Sequence, residues 1–456
     1  MIKQPNVIFI MTDQQRYDTL SVNGNKIIKT PNINELAKQS AIFDQMFVTS
    51  PICVPSRASF MTGRYPNTHR CRDLNYPLAD DEVNLASIFK KRGYHLSLIG
   101  KNHVFSKNQL NMFDYLYLQS HQKSKNVTRE ELAYDSGIDP CLLDQYPTVT
   151  IADHAISYLE KRIDSPFFMW VSFPDPHSPY QVPEPYASLY DPERIPEPKI
   201  KPGELMTKPE GLRELQKIQK MDHVSMKSIK KMISIYYGMI TLIDESIGRI
   251  LSKIKELELE KDTIIIFTSD HGDYMGDHGL ARKSWNFYDC LLRVPFMISW
   301  PGVIPIRRHT DCLVENVDLA PTLLELCNID KQTGVQGTSL APVLKGEQQF
   351  LKESIYATIG TPAKTKDSVK ADTSGGGQPF WNVSALQGMM LRTKEWKLCI
   401  YANCEGELYN LSDDPEELNN LYGKTDTRII ESQLKTQLLL TRLRVDDPLP
   451  PSSSGF

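Results

Sequence analysis

The stretch NVIFIMTDQ, residues 6–14, joins an apolar run to two polar residues, Asp13 and Gln14. Consecutive apolar residues are typical of a strand buried on both faces, as in a parallel sheet covered by helices. Further runs of this kind are HLSLIG (95–100), FFMWVSF (167–173), TIIIFTS (263–269) and FMISW (296–300). Helical patterns lie between them, such as PNINELAKQ (31–39) and SIYYGMITLIDESIGRILSKIKELE (234–258). The alternation predicts an α/β fold with a large, mainly parallel mixed sheet flanked by helices.

The pattern changes near residue 350, where shorter strand-like runs and then a C-terminal helical pattern follow. We therefore predict a catalytic α/β domain at residues 1–350. A smaller α+β subdomain, with a small antiparallel sheet and a helix, is predicted at residues 351–456. Within the first domain, residues 178–226 are rich in Pro, Lys and Glu, which indicates an inserted excursion.

The composition excludes two classes of protein. The formal charge of the 456-residue chain is −4, so nothing indicates a nucleic-acid partner. No apolar run approaches the roughly 18 residues of a membrane span. The chain also starts without the charged and apolar regions of a signal peptide. We therefore expect either a cytoplasmic protein or the mature form of a periplasmic or secreted one.

Chemically capable side chains follow the predicted strands at the points where the strands end. In open α/β sheets the ligand lies beyond the carboxyl ends of the strands, so these side chains should share one edge. A single such residue is more often a helix cap or a satisfied structural group, but the strands here deliver a consistent set. The set contains Asp13 and Gln14, Lys101 and His103, Asp175 and His177, and Asp270 and His271. Cys53, which follows the apolar segment FVTSPI, joins them at the same edge.

The set divides into two chemical groups. Asp13, Gln14, Asp270 and His271 offer three oxygen ligands and one imidazole, which suit a hard divalent cation. The other group supplies positive charge or hydrogen-bond donors: Lys101, His103, His177 and Lys283. Together they predict a metal-bearing pocket for an oxyanion, and phosphate and sulfate esters both fit it.

The segment SPICVPSRASFMTGRYP, residues 50–66, places Cys53 just ahead of a short predicted helix. Pro55 suits the first helical turn, and Gly63 suits the position after the last. A cysteine at this place faces the positive end of the helix dipole, and it has no obvious partner thiol.

The segment CVPSR resembles the C-x-P-S-R signature of the type I, formylglycine-dependent sulfatases of the alkaline phosphatase superfamily. Similar segments occur in order along nearly the whole chain. They are PNVIFIMTDQ, TPNINELA, TGRYP, GKNH, DPHSPY, SDHGDYMGDHG, LARKSW, VDLAPTLLEL and ELYNLSDDPEELNNL. The resemblance implies an alkaline-phosphatase-like fold and hydrolysis of sulfate esters.

The resemblance also implies a role for each candidate residue. A separate maturation enzyme would oxidise Cys53 to formylglycine, whose hydrated aldehyde is the nucleophile. Arg57 would hold that hydrate, and His103 would orient it and assist its proton transfer. The sulfate would be neutralised by Lys101, His177 and Lys283, of which the last two could also protonate the leaving alcohol. The metal, calcium in most of the family, would be bound by Asp13, Gln14, Cys53, Asp270 and His271.

Two positions depart from the common pattern of the family. Many members have Asp where this chain has Gln14, and Asn where it has His271. The loss of one carboxylate keeps Mn²⁺ and Mg²⁺ open beside Ca²⁺. The same pair resembles the related phosphonate monoester hydrolases, which mature the same cysteine. The pair of Lys101 and His103 is more typical of sulfatases, so a phosphonate monoester or phosphodiester hydrolase is the alternative.

The substrate expected from the resemblance is a small-molecule or saccharide sulfate ester, most simply a carbohydrate sulfate. The pocket walls should come from residues 104–150, 178–226 and 360–385, including Trp381 and Asn382. A third hypothesis is a catalytically silent binding protein that keeps the fold. The presence of a capable side chain at every expected catalytic position speaks against it.

Overall fold

The computed structural model describes residues 4–120, 136–161, 164–360 and 387–446. Its main feature is an eight-stranded sheet. The strands of this sheet are β1 (Asn6–Thr12), β2 (Ser40–Phe47), β3 (His95–Gly100), β4 (Tyr115–Leu118), β6 (Phe167–Ser172), β8 (Thr263–Ser269), β9 (Phe296–Ser299) and β10 (Arg307–Glu315). Their order across the sheet is β10-β2-β9-β8-β1-β6-β3-β4. Only β9 is antiparallel to its neighbours among these strands, so the predicted mixed, mainly parallel sheet is confirmed.

Helices cover both faces of this sheet. The helices of the described residues are α1 (Pro31–Ala37), α2 (Cys53–Thr62), α3 (Pro66–His69), α4 (Leu85–Lys91), α5 (Lys107–Leu110), α6 (Pro147–Leu159), α7 (Glu210–Ile218), α8 (Met226–Glu256), α9 (Asp289–Leu292), α10 (Leu319–Leu326), α11 (Ala341–Lys345) and α12 (Arg428–Val445). Val7, Phe9 and Met11 of β1 enter one core with α2 and α4. Ile8 and Ile10 enter the opposite core with α6 and α8. Because alternate residues of a strand point to opposite faces, both faces of β1 must be apolar.

A second, smaller sheet lies in the C-terminal part of the chain. It is antiparallel and contains β11 (Ile355–Ile359), β12 (Gly388–Arg392), β13 (Trp396–Tyr401) and β14 (Gly406–Asn410). Its Tyr356, Leu391 and Leu398 form a core with Leu434 and Leu438 of α12. The predicted small antiparallel sheet and C-terminal helix are therefore present, while the division of the chain at residue 350 stays a prediction.

The excursion predicted at residues 178–226 is an ordered region. It contains β7 (Tyr180–Val182), which pairs with β5 (Ser136–Ile138), several single 3₁₀ turns, and α7. Leu205, Leu212 and Leu215 are buried against Tyr274 and Tyr409. The excursion thus joins the loop after β8 to the C-terminal sheet.

Strand and helix predictions succeeded where the sequence is uniformly apolar. All five predicted strands are present, but β2 and β10 were not predicted because polar residues such as Asp44 and Asp311 interrupt them. Cys53 is the first residue of α2 rather than the residue before it, and Gly63 closes that helix with φ +65°. None of the helices in the described part of the chain is both long and apolar enough to cross a membrane.

The carboxyl end of β3 depends on Gly100, which has φ +112° and lies against β6. A Cβ atom at this position would stand 2.0 Å from the carbonyl oxygen of Ser172. We expect Gly100→Ala to lower the free energy of unfolding by about 2–4 kcal/mol, of which about 1 comes from the positive φ and about 1–3 from the backbone movement that relieves the overlap. Gly93→Ala is the matched control, since Gly93 has φ +82° but nothing within 4 Å. That control should lose only about 1 kcal/mol, from the left-handed backbone alone.

Urea unfolding followed by circular dichroism measures both changes. An equal effect of the two substitutions would show that the contact with β6 does not constrain Gly100.

Candidate active site

The carboxyl ends of four neighbouring strands, β8, β1, β6 and β3, bring the predicted residues together. The backbone N–H of Asp13 donates to the Asp175 carbonyl at 3.1 Å, and that of Asp270 donates to Thr12 at 3.2 Å. Lys101 follows β3, and its N–H donates to the Ser172 carbonyl at 2.8 Å. The strand order thus converts separate strand-end residues into one polar site.

The thiol of Cys53 lies at the centre of this site. Its Sγ is 2.7 Å from Lys283 Nζ, 3.3 Å from His271 Nε2 and 4.0 Å from Asp13 Oδ1. The side chain is buried, and Cys53 is a free cysteine. A thiol surrounded by charged groups rather than by another thiol or apolar side chains is placed for chemistry, not for a disulfide.

Arg57 lies one helical turn after Cys53 and is completely buried. Its Nε donates to Asp270 Oδ2 at 2.7 Å, and one Nη donates to Asp13 Oδ2 at 3.1 Å. The other Nη donates to Ser172 Oγ at 2.8 Å. One guanidinium group therefore holds the ends of β1, β6 and β8 in a fixed arrangement. The Oδ1 atoms of both aspartates are left facing His271 Nε2, each at 3.7 Å.

The arrangement is compatible with a divalent cation. The ligand atoms of Asp13, Cys53, Asp270 and His271 all lie within 4.8 Å of one another. His271 Nδ1 lies 2.8 Å from the Gly272 carbonyl, and Nε2 faces the site, 2.8 Å from Lys283 Nζ. Oxygen and imidazole donors of this kind suit hard or borderline divalent ions.

Gln14 adds a further oxygen to this group of donors. Its side-chain N–H donates to Asp273, while Oε1 is buried and has no hydrogen-bond partner among the described residues. A buried oxygen without a partner is costly, and a bound cation would satisfy it. The backbone of Gln14 has φ +67°, which holds the residue in a left-handed turn directly after β1.

The charges of the site shift the pKa values of its members. Burial opposes ionisation of Asp13, but Lys101, His177, Lys283 and Arg57 hold the pKa of its carboxyl well below the usual range. For Cys53, burial and Asp13 oppose ionisation, but Lys101, Lys283 and His271 outweigh them and lower the thiol pKa to about 7. The site as a whole favours anions at its centre.

Two predicted histidines lie in loops at this edge of the sheet. His177 is partly buried, its Nδ1 is 2.6 Å from the Ser178 carbonyl, and its charge contributes to the low pKa of Asp13. His103 is partly buried in the loop after β3, two residues beyond Lys101. Lys101 itself is buried and forms an ion pair with Asp13. The catalytic roles of these residues stay predictions.

The sequence analysis missed two residues of the site. Ser172 accepts a hydrogen bond from Arg57, and its signal was a hydroxyl in the otherwise apolar strand β6. Asp273 accepts from the Met275 N–H at 2.8 Å, as an aspartate in a turn commonly does. Its other carboxylate oxygen accepts from Gln14 and from the Tyr180 hydroxyl, so it also orients the Gln14 side chain.

Two further polar residues of the segment SDHGDYMGDHG lie outside the metal-binding group, and part of the predicted pocket wall lies outside the described residues. Asp277 pairs with Arg16 at 2.7 Å, and His278 Nδ1 lies 3.0 Å from Glu204. Neither belongs to the metal-binding group. Trp381 and Asn382, with most of the predicted wall at 360–385, lie outside the described residues.

Comparison with known proteins identifies the family. The family model described as Sulfatase matches residues 5–329, well over half of the chain. The chain belongs to the sulfatase family. It is therefore an enzyme, a sulfuric ester hydrolase, with the alkaline-phosphatase-like fold predicted above. A second model, described as the C-terminal part of N-sulphoglucosamine sulphohydrolase, matches residues 382–444.

Individual relatives agree with this assignment. The sulfatase is 30% identical to an arylsulfatase of Clostridium perfringens, over 93% of this chain and 91% of the relative. It is 26% identical to an N-acetylglucosamine-6-O-sulfatase of Bacteroides thetaiotaomicron, over 98% and 88% of the two chains. Among solved structures, a phosphonate monoester hydrolase of Agrobacterium radiobacter superposes with a TM-score of 0.83 at 25% identity, covering 97% and 96%.

The charges around Cys53 predict a titration that can be observed directly. The ordinary thiol pKa is 9.0, and the sulfatase lowers it to about 7. In unconverted, metal-free protein, ultraviolet absorbance of the thiolate should rise through a midpoint near pH 7, and Cys53→Ala should remove it. Stability from the ionised thiol is then fully present above pH 9 and lost as the pH falls through about 7.

Lys283→Met should move this midpoint upward, because it removes an adjacent positive charge. Lys38→Met is the control, since Lys38 is exposed and pairs only with Glu35. A midpoint that stays at the ordinary thiol value in the wild-type protein would contradict the arrangement of charges.

Proposed function

We propose that this sulfatase hydrolyses a sulfate ester on a carbohydrate, with formylglycine made from Cys53 as the nucleophile and with a bound divalent metal. The observation that carries the proposal is the position of Cys53 Sγ, 2.7 Å from Lys283 and within the metal-binding group. Similarity to an enzyme named N-acetylglucosamine-6-O-sulfatase supports a saccharide substrate. We infer that a maturation enzyme oxidises Cys53.

The proposed reaction explains why residue 53 would act as an aldehyde rather than as an unmodified hydroxyl. Water adds to the aldehyde of formylglycine and gives two hydroxyl groups on one carbon. One hydroxyl loses its proton and attacks the sulfur, the bond from sulfur to the alcohol breaks, and the alcohol leaves with a proton. The second hydroxyl then loses its proton, the carbon–oxygen bond to sulfate breaks, and the aldehyde forms again. Serine, with a single hydroxyl, could not perform the last step.

The surrounding cations have separate proposed tasks. Lys101 and Lys283, both buried, and His177 offset the negative charge of the sulfate as the ester bond breaks. His103 orients the hydrate and accepts a proton from it. Lys283 or His177 donates a proton to the leaving alcohol. Arg57 holds the hydrate as well as the two aspartates.

The proposed metal ligands are Asp13, Gln14, Asp270, His271 and residue 53. When bound, the cation would lower the pKa of the attacking hydroxyl and orient the sulfate. We propose that the metal is Ca²⁺. Mn²⁺ and Mg²⁺ are alternatives, because the group contains only two carboxylates among the described residues.

The alternative function is hydrolysis of a phosphonate monoester or a phosphodiester. Two observations favour it: the pair of Gln14 and His271, and the structural similarity to a phosphonate monoester hydrolase. Both reactions use an oxyanion ester and the same nucleophile, so the same site could perform either.

Matched nitrophenyl esters test the proposed function. We expect a higher kcat/KM on 4-nitrophenyl sulfate than on 4-nitrophenyl phenylphosphonate, and the peptide containing Cys53 should have the mass of the aldehyde.

Cys53→Ala should lower turnover on the order of 10⁴-fold or more, because it removes the nucleophile. The matched control is Cys71→Ala, another buried cysteine, which should keep its activity. Full activity of Cys53→Ala would exclude the mechanism, and a preference for the phosphonate would select the alternative.

Metal binding can be tested without turnover. We expect Ca²⁺ to raise the melting temperature of chelator-treated protein, since a ligand that binds only the folded state stabilises it. Gln14→Asn keeps the amide and tolerates the left-handed backbone but shortens the reach of the oxygen. It should raise the Ca²⁺ concentration needed on the order of tenfold. Gln109→Asn is the control, since Gln109 is also buried but its side-chain amide accepts from the Ser106 N–H and donates to the Ala79 carbonyl. Equal responses of both variants would remove Gln14 from the ligand set.

A further inference from the structure

A cavity of about 280 Å³, which we call the arginine cavity, lies at one end of the C-terminal sheet. It is lined by α3 and the loop after it, the ends of β11, β12 and β13, and α12. The residues that matter for its chemistry are Asn67, Arg72, Thr358, Gln387, Tyr401 and Arg442. Neither Asp nor Glu is among the described residues that line it.

The two arginines of the cavity keep hydrogen-bonding capacity that no described residue uses. One Nη of Arg72 donates to the Asn67 carbonyl at 3.3 Å, but its Nε is buried without a partner in the described chain. One Nη of Arg442 pairs with Asp446 at 2.5 Å, while the other is buried without a partner there. Guanidinium groups present donors in a fixed fork that matches carboxylate and sulfate oxygens.

The electrostatics of the cavity are those of a site for an anion. Burial and then the charge of Arg442 lower the pKa of Arg72, so the two cations repel each other across the cavity. A bound anion would relieve this repulsion and accept from the spare N–H groups. Asp446 is bound to one Nη of Arg442, so it does not use the other, which is buried without a partner in the described chain.

The cavity adjoins both segments that carry the proposed reaction. The Thr358 N–H donates to the Thr49 carbonyl at 2.9 Å, and Thr49 begins the loop that leads from β2 to Cys53. On the other side, a Cβ atom at Gly388 would be 3.1 Å from the ring of Phe287. Phe287 belongs to the loop that carries Lys283.

We propose that the arginine cavity binds an oxyanion, namely a sulfate or carboxylate group other than the one that reacts at Cys53. Two sources share this chemistry: a second charged group of the saccharide substrate, and free inorganic sulfate. The first source rests on the proposed function, because it requires a saccharide. We favour it, since the cavity adjoins the loops of both Cys53 and Lys283 and a charged saccharide carries anionic groups on neighbouring units.

The test compares two pairs of substitutions in a Cys53→Ala background, in which no turnover occurs. The first pair, Arg72→Gln and Arg442→Gln, removes both cations of the cavity. The second pair, Arg70→Gln and Arg444→Gln, makes the same change of charge on exposed arginines two residues away that do not line it. Isothermal titration calorimetry then measures the binding of a heparin-derived tetrasaccharide and of sodium sulfate, with sodium chloride at equal ionic strength as the blank.

We expect the first pair to weaken tetrasaccharide binding at least tenfold and the second pair to change it less than twofold. If only the binding of sodium sulfate is weakened by the first pair, the cavity is a site for free sulfate. Equal effects of the two pairs on both probes would overturn the proposal. If the first pair fails to fold, each single substitution should still weaken binding about threefold, and unchanged binding in both would be the contrary result.

The outcome does not depend on turnover, so it is separate from the test of the proposed function. A protein that cleaves neither nitrophenyl ester could still lose tetrasaccharide binding with the first pair. Conversely, the enzyme could cleave the sulfate ester while the first pair leaves tetrasaccharide binding unchanged. That result would support the proposed function and exclude the arginine cavity as a binding site for the saccharide.

Discussion

The structure depends above all on the buried guanidinium group of Arg57. It contacts Asp13, Asp270 and Ser172, which end three adjacent strands of the large sheet. Two carboxylates buried this close would repel each other strongly, so one cation between them is a condition for the site to exist. Removing one partner of a buried ion pair typically costs about 3–5 kcal/mol, because the remaining charge is uncompensated. The same contacts that hold the strand ends together also direct the Oδ1 atoms of both aspartates toward His271.

The C-terminal sheet contributes to the active site through the loop that carries Lys283. Lys397 of β13 is fully buried and donates to the Phe287 carbonyl at 2.9 Å. It also pairs with Glu417 at 2.5 Å, and Glu417 accepts from the Asp289 N–H at 2.6 Å. Burial, offset in part by Lys397, raises the pKa of Glu417 to about 7. This polar network holds the C-terminal end of the loop, at Phe287 and Asp289, so the C-terminal sheet helps to position Lys283.

Much of the fold and of the candidate site could be predicted from local sequence patterns. A strand buried on both faces consists mostly of apolar residues, and this pattern allowed β1, β3, β6, β8 and β9 to be predicted. β2 and β10 include polar residues that are satisfied by tertiary contacts, such as Asp44, which accepts from the Tyr17 hydroxyl at 2.6 Å. Asp273 could not be distinguished from an ordinary turn residue, because its bond to Gln14 joins positions that are far apart in sequence.

The sequence by itself determined the alternating α/β architecture, the chemical types at the strand ends and the family to which the chain belongs. The burial of a strand and the chemistry of the residues at its end each depend on a short segment, so both can be recognised in the sequence. Only the tertiary structure decided which of these groups touch. Lys283 reaches Cys53 across 230 residues of sequence, and Arg57 reaches Asp270 across 213. The order of strands in the sheet and the anchoring of the Lys283 loop set these contacts, and both arise from packing between distant parts of the chain.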